Sequence, residues 1–111
     1  METVLGAPRY SADVATRAYR AWVREGRLLG FPAKRSRRIP LLDLVAQEFE
    51  PGVTYTADEV EARLGRWHPD TATLGRYLVD EQFLARLPDG SRWWRCGGTV
   101  DLDVTSRLRA R

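Results

Sequence analysis

The sequence has little of the material from which catalytic and metal sites are built. It contains one histidine, His68, and one cysteine, Cys96, in 111 residues. A single cysteine cannot pair within the chain, which excludes the disulfide framework of a small secreted domain. A metal site needs several converging ligands, and we find no P-loop, no glycine-rich dinucleotide-binding turn and no Ser/His/Asp set. We therefore expect no metal, no cofactor and no enzymatic activity.

Long apolar runs are also missing. No stretch approaches the roughly 20 apolar residues that a membrane-spanning helix needs. The first residues lack the basic and apolar parts of a signal peptide. By elimination we expect a cytoplasmic protein with no membrane partner. The 43% of hydrophobic residues and the four tryptophans supply enough material for the core of one domain with short tails.

The charge is distributed unevenly, although the net charge is only +3. Residues 1–42 carry nine Arg or Lys against three acids, whereas residues 43–62 carry six acids and no base. A locally basic surface suits contact with an anion, such as the DNA backbone or an acidic protein surface. The plainer alternative is a solubilising surface, and the composition leaves both open.

The order of periodic segments and turns predicts an α+β fold. Apolar residues recur at helical spacing at about residues 11–24, 38–49, 57–64 and 70–81. Thr56 and Glu59 match a capping box, and Asp70 can cap the last of these helices. Residues 53–55 can form a short strand. Two alternating runs, 84–87 and 92–96, flank a Pro-Asp-Gly turn and predict a β-hairpin.

This order of elements is that of a winged helix, in which the third helix enters the DNA major groove and the hairpin is the wing. We predict a winged-helix-like domain of three helices plus a β-hairpin wing over residues 27–98. Residues 1–26 add an N-terminal arm and an extra helix, and residues 99–111 form a C-terminal tail in which another strand can start. The predicted core consists of Leu42, Val45, Phe49, Val60, Leu64, Leu74, Tyr77, Leu78 and Leu84.

The predicted contacts to double-stranded DNA lie in three segments. The basic run at 34–38 is a candidate clamp for backbone phosphates. The outward face of the third domain helix can meet bases, since arginine commonly reads guanine. The hairpin arginines can lie along phosphates. The full set is Lys34, Arg35, Arg37, Arg38, Thr73, Arg76, Arg92 and Arg95.

Each of these segments also has a structural interpretation. The basic run can be a solvated loop, or its arginines can pair with the acids of residues 43–61. The third helix carries Asp80 on the same face as Arg76 and is neutral overall. The alternative to direct base reading is therefore that this helix has only a structural role and that its outer face is exposed to solvent.

A protein-interaction surface is the second hypothesis, with the winged helix as a scaffold that reads no DNA. Tyr19 and Trp22 belong to an apolar face at residues 14–23, which predicts a homodimer. Trp93 is the candidate interface residue on the hairpin, with Trp94 packed inward. We expect His68 to be a turn residue.

Several segments resemble one bacterial family. They are Phe-Pro-Ala-Lys-Arg at 31–35, Phe-Glu-Pro-Gly at 49–52 with the residues that follow it, Ala-Thr-Leu-Gly-Arg-Tyr-Leu-Val-Asp at 72–80, Asp-Gly-Ser at 89–91 and Trp-Arg at 94–95. Together they are similar to the domain-of-unknown-function family 2087, DUF2087. Its members occur alone or attached to helix-turn-helix regulators of the arsenical-repressor type. The likeness covers about residues 27–98.

The resemblance implies a regulator-associated, winged-helix-like domain and implies no particular ligand or activity. One departure bears on DNA binding. The family usually has two arginines after the leucine of the last helix, and this chain has Gly75 and Arg76 there. The glycine removes one candidate phosphate contact and costs about 0.5–1 kcal/mol of helix stability relative to alanine.

Overall fold

The computed structural model of the protein describes residues 9–100. Over this range the fold is α+β, with four helices and two small antiparallel sheets. The elements in chain order are α1 (Ala12–Trp22), β1 (Val23–Arg24), β2 (Arg27–Leu28), α2 (Arg35–Ala46), β3 (Thr54–Tyr55), α3 (Ala57–Gly65), α4 (Thr71–Asp80), β4 (Leu84–Arg86) and β5 (Trp93–Arg95). The predicted α+β class is confirmed. The possible strand after residue 99 lies largely outside the described residues.

The helix ends follow from local hydrogen bonding. The Ser11 side chain accepts the N–H of Val14, and the predicted capping box between Thr56 and Glu59 is present in full. Asp70 caps α4 by accepting the N–H of Thr73. α2 is displaced from its prediction of 38–49, because the Lys34 carbonyl starts the helix within the basic run and Pro40 lies inside it. The chain after Ala46 then tightens into i→i−3 hydrogen bonds.

The structure contains a short β-hairpin between α1 and α2 that the sequence analysis did not predict. β1 pairs antiparallel with β2, and the turn places Glu25 at φ 54° and Gly26 at φ 75°. Two successive residues at positive φ are the mark of a type I′ turn, which normally carries Asn-Gly or Asp-Gly. Because glutamate is an unusual first residue there, the sequence favoured a helix to about residue 24. The helix ends at Trp22 instead, and Val23 and Arg24 form a strand.

The three-stranded sheet has the order β3-β5-β4, so the last strand lies in the middle. Tyr55 and Arg86 both pair with Trp93, and Leu84 pairs with Arg95. Since side chains alternate along a strand, Trp93 and Arg95 share one face of the sheet with Tyr55 and Leu84. Trp94 lies on the opposite, outer face.

The core lies between this sheet face and helices α2, α3 and α4. Eight of the nine predicted core residues are buried, and the exception is Tyr77, which is half-buried at the edge of the core. Core members that the sequence analysis did not list include Ile39, Leu41, Tyr55 and Phe83. α1 packs on α2 with Ala15 and Ala18 buried, so the extra helix rests directly on the predicted domain.

A buried polar cluster joins both ends of the described chain to α2. We call Tyr10, Asp43, Arg95 and Thr99 the Asp43 cluster. Asp43 is only 2% exposed, and it accepts hydrogen bonds from the Tyr10 hydroxyl at 2.6 Å and the Thr99 N–H at 2.8 Å. Gly98, at φ 96°, allows the close approach of the chain, because a Cβ there would lie 2.9 Å from Oδ1 of Asp43.

Candidate nucleic-acid interface

The outward face of α4 carries one row of exposed side chains. Ala72, Arg76 and Asp80 are exposed at intervals of one turn, while Leu74 and Leu78 are buried on the opposite face. Thr73 lies at the side of this row and is half-buried. Arg76 is the single cation in α4, so base reading by this helix would depend on it.

Arg76 contributes to the electrostatics at the beginning of α4. The pKa of the Asp70 carboxyl lies below its usual value, first because of the hydrogen bonds with Thr73 and to a smaller extent because of the nearby charge of Arg76. The Cα–Cβ bonds of a helix tilt toward its N-terminus, so a side chain at position 76 leans toward that end of α4.

The β4–β5 hairpin covers one side of this row. A Cβ on Gly75 would lie 3.6 Å from Cη2 of Trp93, so the indole packs directly on the helix at this glycine. The Trp93 Nε1–H donates to the Gly90 carbonyl at 3.0 Å, and the Arg86 guanidinium lies 5.6 Å from the indole centroid. Arg86 and Arg92 are both exposed on the hairpin.

The predicted roles of the two hairpin tryptophans are thus reversed. Trp93 was predicted to cover a partner, but it packs against the core and against α4. Trp94, which was predicted to point inward, is half-buried on the outer face of the sheet. The pairing of Tyr55 with Trp93 sets this arrangement, because a shift by one residue exchanges the two faces of a strand.

The beginning of α2 covers the other side of α4. The Phe31 ring lies 4.5 Å from the His68 ring and 5.5 Å from the Tyr77 ring, and the Arg38 guanidinium lies 4.4 Å from the Tyr77 centroid. His68 is a turn residue, as predicted, since its Nδ1 accepts the Asp70 N–H at 2.9 Å. The basic run at 34–38 is consequently fixed beside α4.

The four cations of that run have different settings. Lys34 and Arg37 are exposed. Arg38 is half-buried, and its Nη1 donates to the carbonyls of Pro32 and Ala33, so it fixes the loop before α2. Arg35 donates from Nε and Nη2 to the two carboxylate oxygens of Glu81 at 2.6 and 2.7 Å, with most of its side chain still exposed.

Arg95 was predicted to be a phosphate contact, and this prediction is wrong. The residue is 6% exposed, and its guanidinium donates to the carbonyls of Phe49, Gly97 and Thr99. Burial lowers the pKa of this arginine, although the negative charge of Asp43 opposes that shift. Arg95 lies on the core face of β5 and belongs to the Asp43 cluster.

The acids of residues 43–61 do not pair with the predicted clamp arginines in the described part of the chain. Asp43 is buried, Glu59 completes the capping box, and Glu48 accepts from the Trp67 Nε1–H at 3.0 Å and pairs with Arg66 at 3.5 Å. The acids that do lie near the α4 row are Asp70, Asp80 and Glu81. The basic surface is therefore partly neutralised at both ends of α4.

The predicted interface on α1 is covered by the same chain. Tyr19 and Trp22 are half-buried and pack against the core, and burial raises the pKa of the Tyr19 phenol. A Cβ on Gly30 would lie 3.2 Å from the Trp22 ring. Part of the apolar face at residues 14–23 is therefore covered within this chain, and the homodimer stays a prediction.

Exposed cations thus come from three segments around α4. Lys34 and Arg37 lie on the α2 side, Arg76 lies in the middle, and Arg92 lies on the hairpin together with Arg86. Arg86 is one of the hairpin arginines of the sequence analysis, although the final set of predicted DNA contacts did not list it, and it lies opposite Trp93 in the hairpin register.

The described fold is that of a small α+β domain with a partly basic surface around one helix. A family model described as an uncharacterized protein conserved in bacteria, DUF2087, matches residues 27–95, and the chain belongs to this family. The matched region runs from β2 to the end of β5 and so includes both flanks of α4. Neither a search of curated proteins nor a search of solved structures returned a match. Among residues 9–100 no helix combines the length and the apolar character needed to cross a membrane.

Proposed function

We propose that this protein is a winged-helix module that binds duplex DNA in transcriptional regulation, and that it is a binding protein and not an enzyme. The observation that carries the proposal is the position of α4. The hairpin packs on one side of it through Trp93, and the beginning of α2 packs on the other side through Arg38 and Tyr77. The exposed row that contains Arg76 lies between two segments with exposed cations.

The connectivity supports the winged-helix interpretation. Helix α2 is followed by β3, by the adjacent helices α3 and α4, and by the β4–β5 hairpin, with β3 paired to β5. In winged-helix proteins the equivalent of α4 is the recognition helix and the hairpin contacts the neighbouring backbone. The positions of Arg86 and Arg92 suit that second role.

The charges indicate how binding would be divided among these residues. Lys34, Arg37, Arg86 and Arg92 would contact phosphates and position the protein, while Arg76 would meet a base edge. Four phosphate contacts correspond to a salt slope of about −3.6, which is a loss of roughly 100-fold in affinity between 50 and 200 mM salt. Asp80 opposes this attraction, so we expect moderate affinity.

Selection from a random duplex DNA pool at two salt concentrations tests the proposal. We expect enriched sequences at low salt and a steep loss of binding at high salt. Arg37→Glu should weaken binding to all sequences alike, whereas Arg76→Ala should also relax the preference at one base pair. Arg17→Glu is a matched charge reversal at an exposed arginine on α1, outside the three segments of the proposed interface. The absence of any complex at low salt would exclude DNA binding by this surface.

A protein-interaction module is the second candidate, and the outer face of the three-stranded sheet favours it. Trp94 lies at the centre of that face between Thr54 and Ala85, and Leu87 is 40% exposed at the end of β4. An aromatic interface of this kind depends little on salt, in contrast to phosphate contacts. Trp94→Ser would weaken such an interaction and leave DNA binding unchanged.

A further inference from the structure

The end of α4 brings two exposed arginines to Glu81, one to its carboxylate and one to its backbone carbonyl. Arg35 binds both oxygens of Glu81, and Arg9 donates from Nη2 to the Glu81 backbone carbonyl at 2.9 Å, with its guanidinium 4.6 Å from the Phe83 ring. We call Arg9, Arg35 and Glu81 the Glu81 cluster. Both arginines are exposed, whereas the Glu81 side chain is only 10% exposed. The cations thus face solvent and the anion lies behind them.

The cluster keeps a net positive charge. Two arginines and one carboxylate leave one positive charge, and the neighbouring Lys34 adds another. The first turn of α2 contains no acid, and Lys34 gives it no side-chain cap, so its backbone N–H groups add positive character to the same region. The carboxylate therefore does not cancel the charge of the surface that it supports.

Glu81 leaves donors of Arg35 free. A guanidinium has five N–H donors, and one hydrogen each of Nε and Nη2 is used on Glu81. The Nη1 hydrogens and the other Nη2 hydrogen remain. Two bonds to one carboxylate also fix the plane of the fork, which lowers the entropy that a further hydrogen bond would cost.

We propose that Arg9 and Arg35, held in place by Glu81, form with Lys34 a site for one phosphodiester group of bound DNA, with Glu81 as its positioning residue. This inference rests on the proposed function. It extends the interface to Arg9, which lies before the residues that the family model matches.

Whether Glu81→Gln raises or lowers the affinity for DNA distinguishes a positioning role of Glu81 from simple charge neutralisation. Glu81→Gln removes a negative charge near DNA, so Coulomb attraction alone would raise the affinity. If Glu81 positions the arginines, the same change lowers the affinity because Arg35 loses its fixed orientation. Asp80→Asn is the matched control, since it removes the same charge from the exposed neighbouring residue.

We would measure affinity for a selected duplex, and its dependence on salt, by fluorescence anisotropy. Circular dichroism would confirm that each variant is folded at the temperature used. We expect Asp80→Asn to bind more tightly and Glu81→Gln to bind more weakly, with a salt slope that is shallower by about 1. Once Arg35→Gln is present, Glu81→Gln should no longer lower the affinity, since the two changes remove the same contact.

A gain of affinity in Glu81→Gln equal to that in Asp80→Asn would overturn the positioning role while leaving DNA binding in place. If Glu81→Gln does not fold, Arg9→Gln tests the site, because Arg9 is exposed and its loss should also reduce the salt slope by about 1. An unchanged slope there would overturn the site. If the wild-type protein binds no duplex at low salt, the proposed function and this site fall together.

Discussion

The Asp43 cluster and the Glu81 cluster use the same chemistry in opposite environments. In the first, Asp43 and Arg95 are both buried, and the arginine donates only to backbone carbonyls and not to the carboxylate. In the second, Glu81 is covered but Arg35 is 67% exposed and binds the carboxylate directly. The first cluster is closed, because its donors are buried away from any ligand, whereas the second is open, because Arg35 presents unused donors to solvent. We therefore expect the Asp43 cluster to stabilise the fold and the Glu81 cluster to bind a ligand.

The largest expected effect on stability comes from removing the carboxylate of the Asp43 cluster. Asp43→Ala removes the acceptor of Tyr10 and Thr99 and leaves Arg95 without a nearby negative charge. We expect the free energy of unfolding to fall by about 3–5 kcal/mol, because the donors of Tyr10 and Thr99 lose their acceptor and Arg95 is left as an uncompensated buried charge. Urea denaturation followed by circular dichroism measures this. Asp80→Ala is the exposed control, and a loss below 1 kcal/mol for Asp43→Ala would show that the cluster is not essential to the fold.

A smaller loss is expected from Tyr10→Phe, which keeps the ring and removes one hydrogen bond to a buried carboxylate. Such bonds contribute about 1.5–3 kcal/mol. Burial and the hydrogen bond to Asp43 raise the pKa of Tyr10 above its ordinary value. A raised pKa in the folded state means that the stability is present below about pH 10, the pKa of an unfolded tyrosine, and is lost as the pH rises through the folded value. Tyr10→Phe should flatten this alkaline fall, and an unchanged alkaline profile would contradict the assignment.

Substitution of two glycines by alanine should change the stability in opposite directions. One glycine lies in α4 and the other lies beside the Asp43 cluster. Gly75 lies in the interior of α4, and a Cβ there would be in ordinary contact with Leu64 and Trp93 at 3.5 and 3.6 Å. Gly75→Ala should therefore stabilise the fold by about 0.5–1 kcal/mol. Gly98→Ala should destabilise it, because the residue has φ 96° and its Cβ would press on Asp43. Thermal unfolding of both variants measures these changes in stability. If Gly75→Ala is destabilising, Trp93 packs on the helix more tightly than these distances indicate.

The local features of this fold were predictable, and the two clusters were not. Helical periodicity and the caps at Thr56 and Asp70 depend on neighbouring residues, so they could be predicted directly. The burial of Arg95 depends on the register of β5 against β3, which pairs residues some forty positions apart. An arginine between a tryptophan and a cysteine gives no local sign that it faces inward. Asp43 was counted as part of an acidic surface for the same reason, since its partners lie at the two ends of the described chain.

The smallest effect on stability is expected from Glu81→Gln, and it gives the sharpest contrast with Asp43→Ala. Hydrogen bonding to Arg35 lowers the pKa of Glu81, so the stability it contributes is present above the unfolded pKa of about 4.3 and is lost as the pH falls through the folded value. Because Arg35 is largely exposed, solvent screens the pair, and we expect it to contribute little to stability near neutral pH. Unfolding of wild type and Glu81→Gln at pH 3 and pH 7 measures this, and the difference between the two proteins should be smaller at pH 3 than at pH 7. A loss as large as that of Asp43→Ala would mean that both clusters hold the fold together. A small loss of stability combined with a clear loss of DNA affinity would assign the closed cluster to folding and the open one to binding.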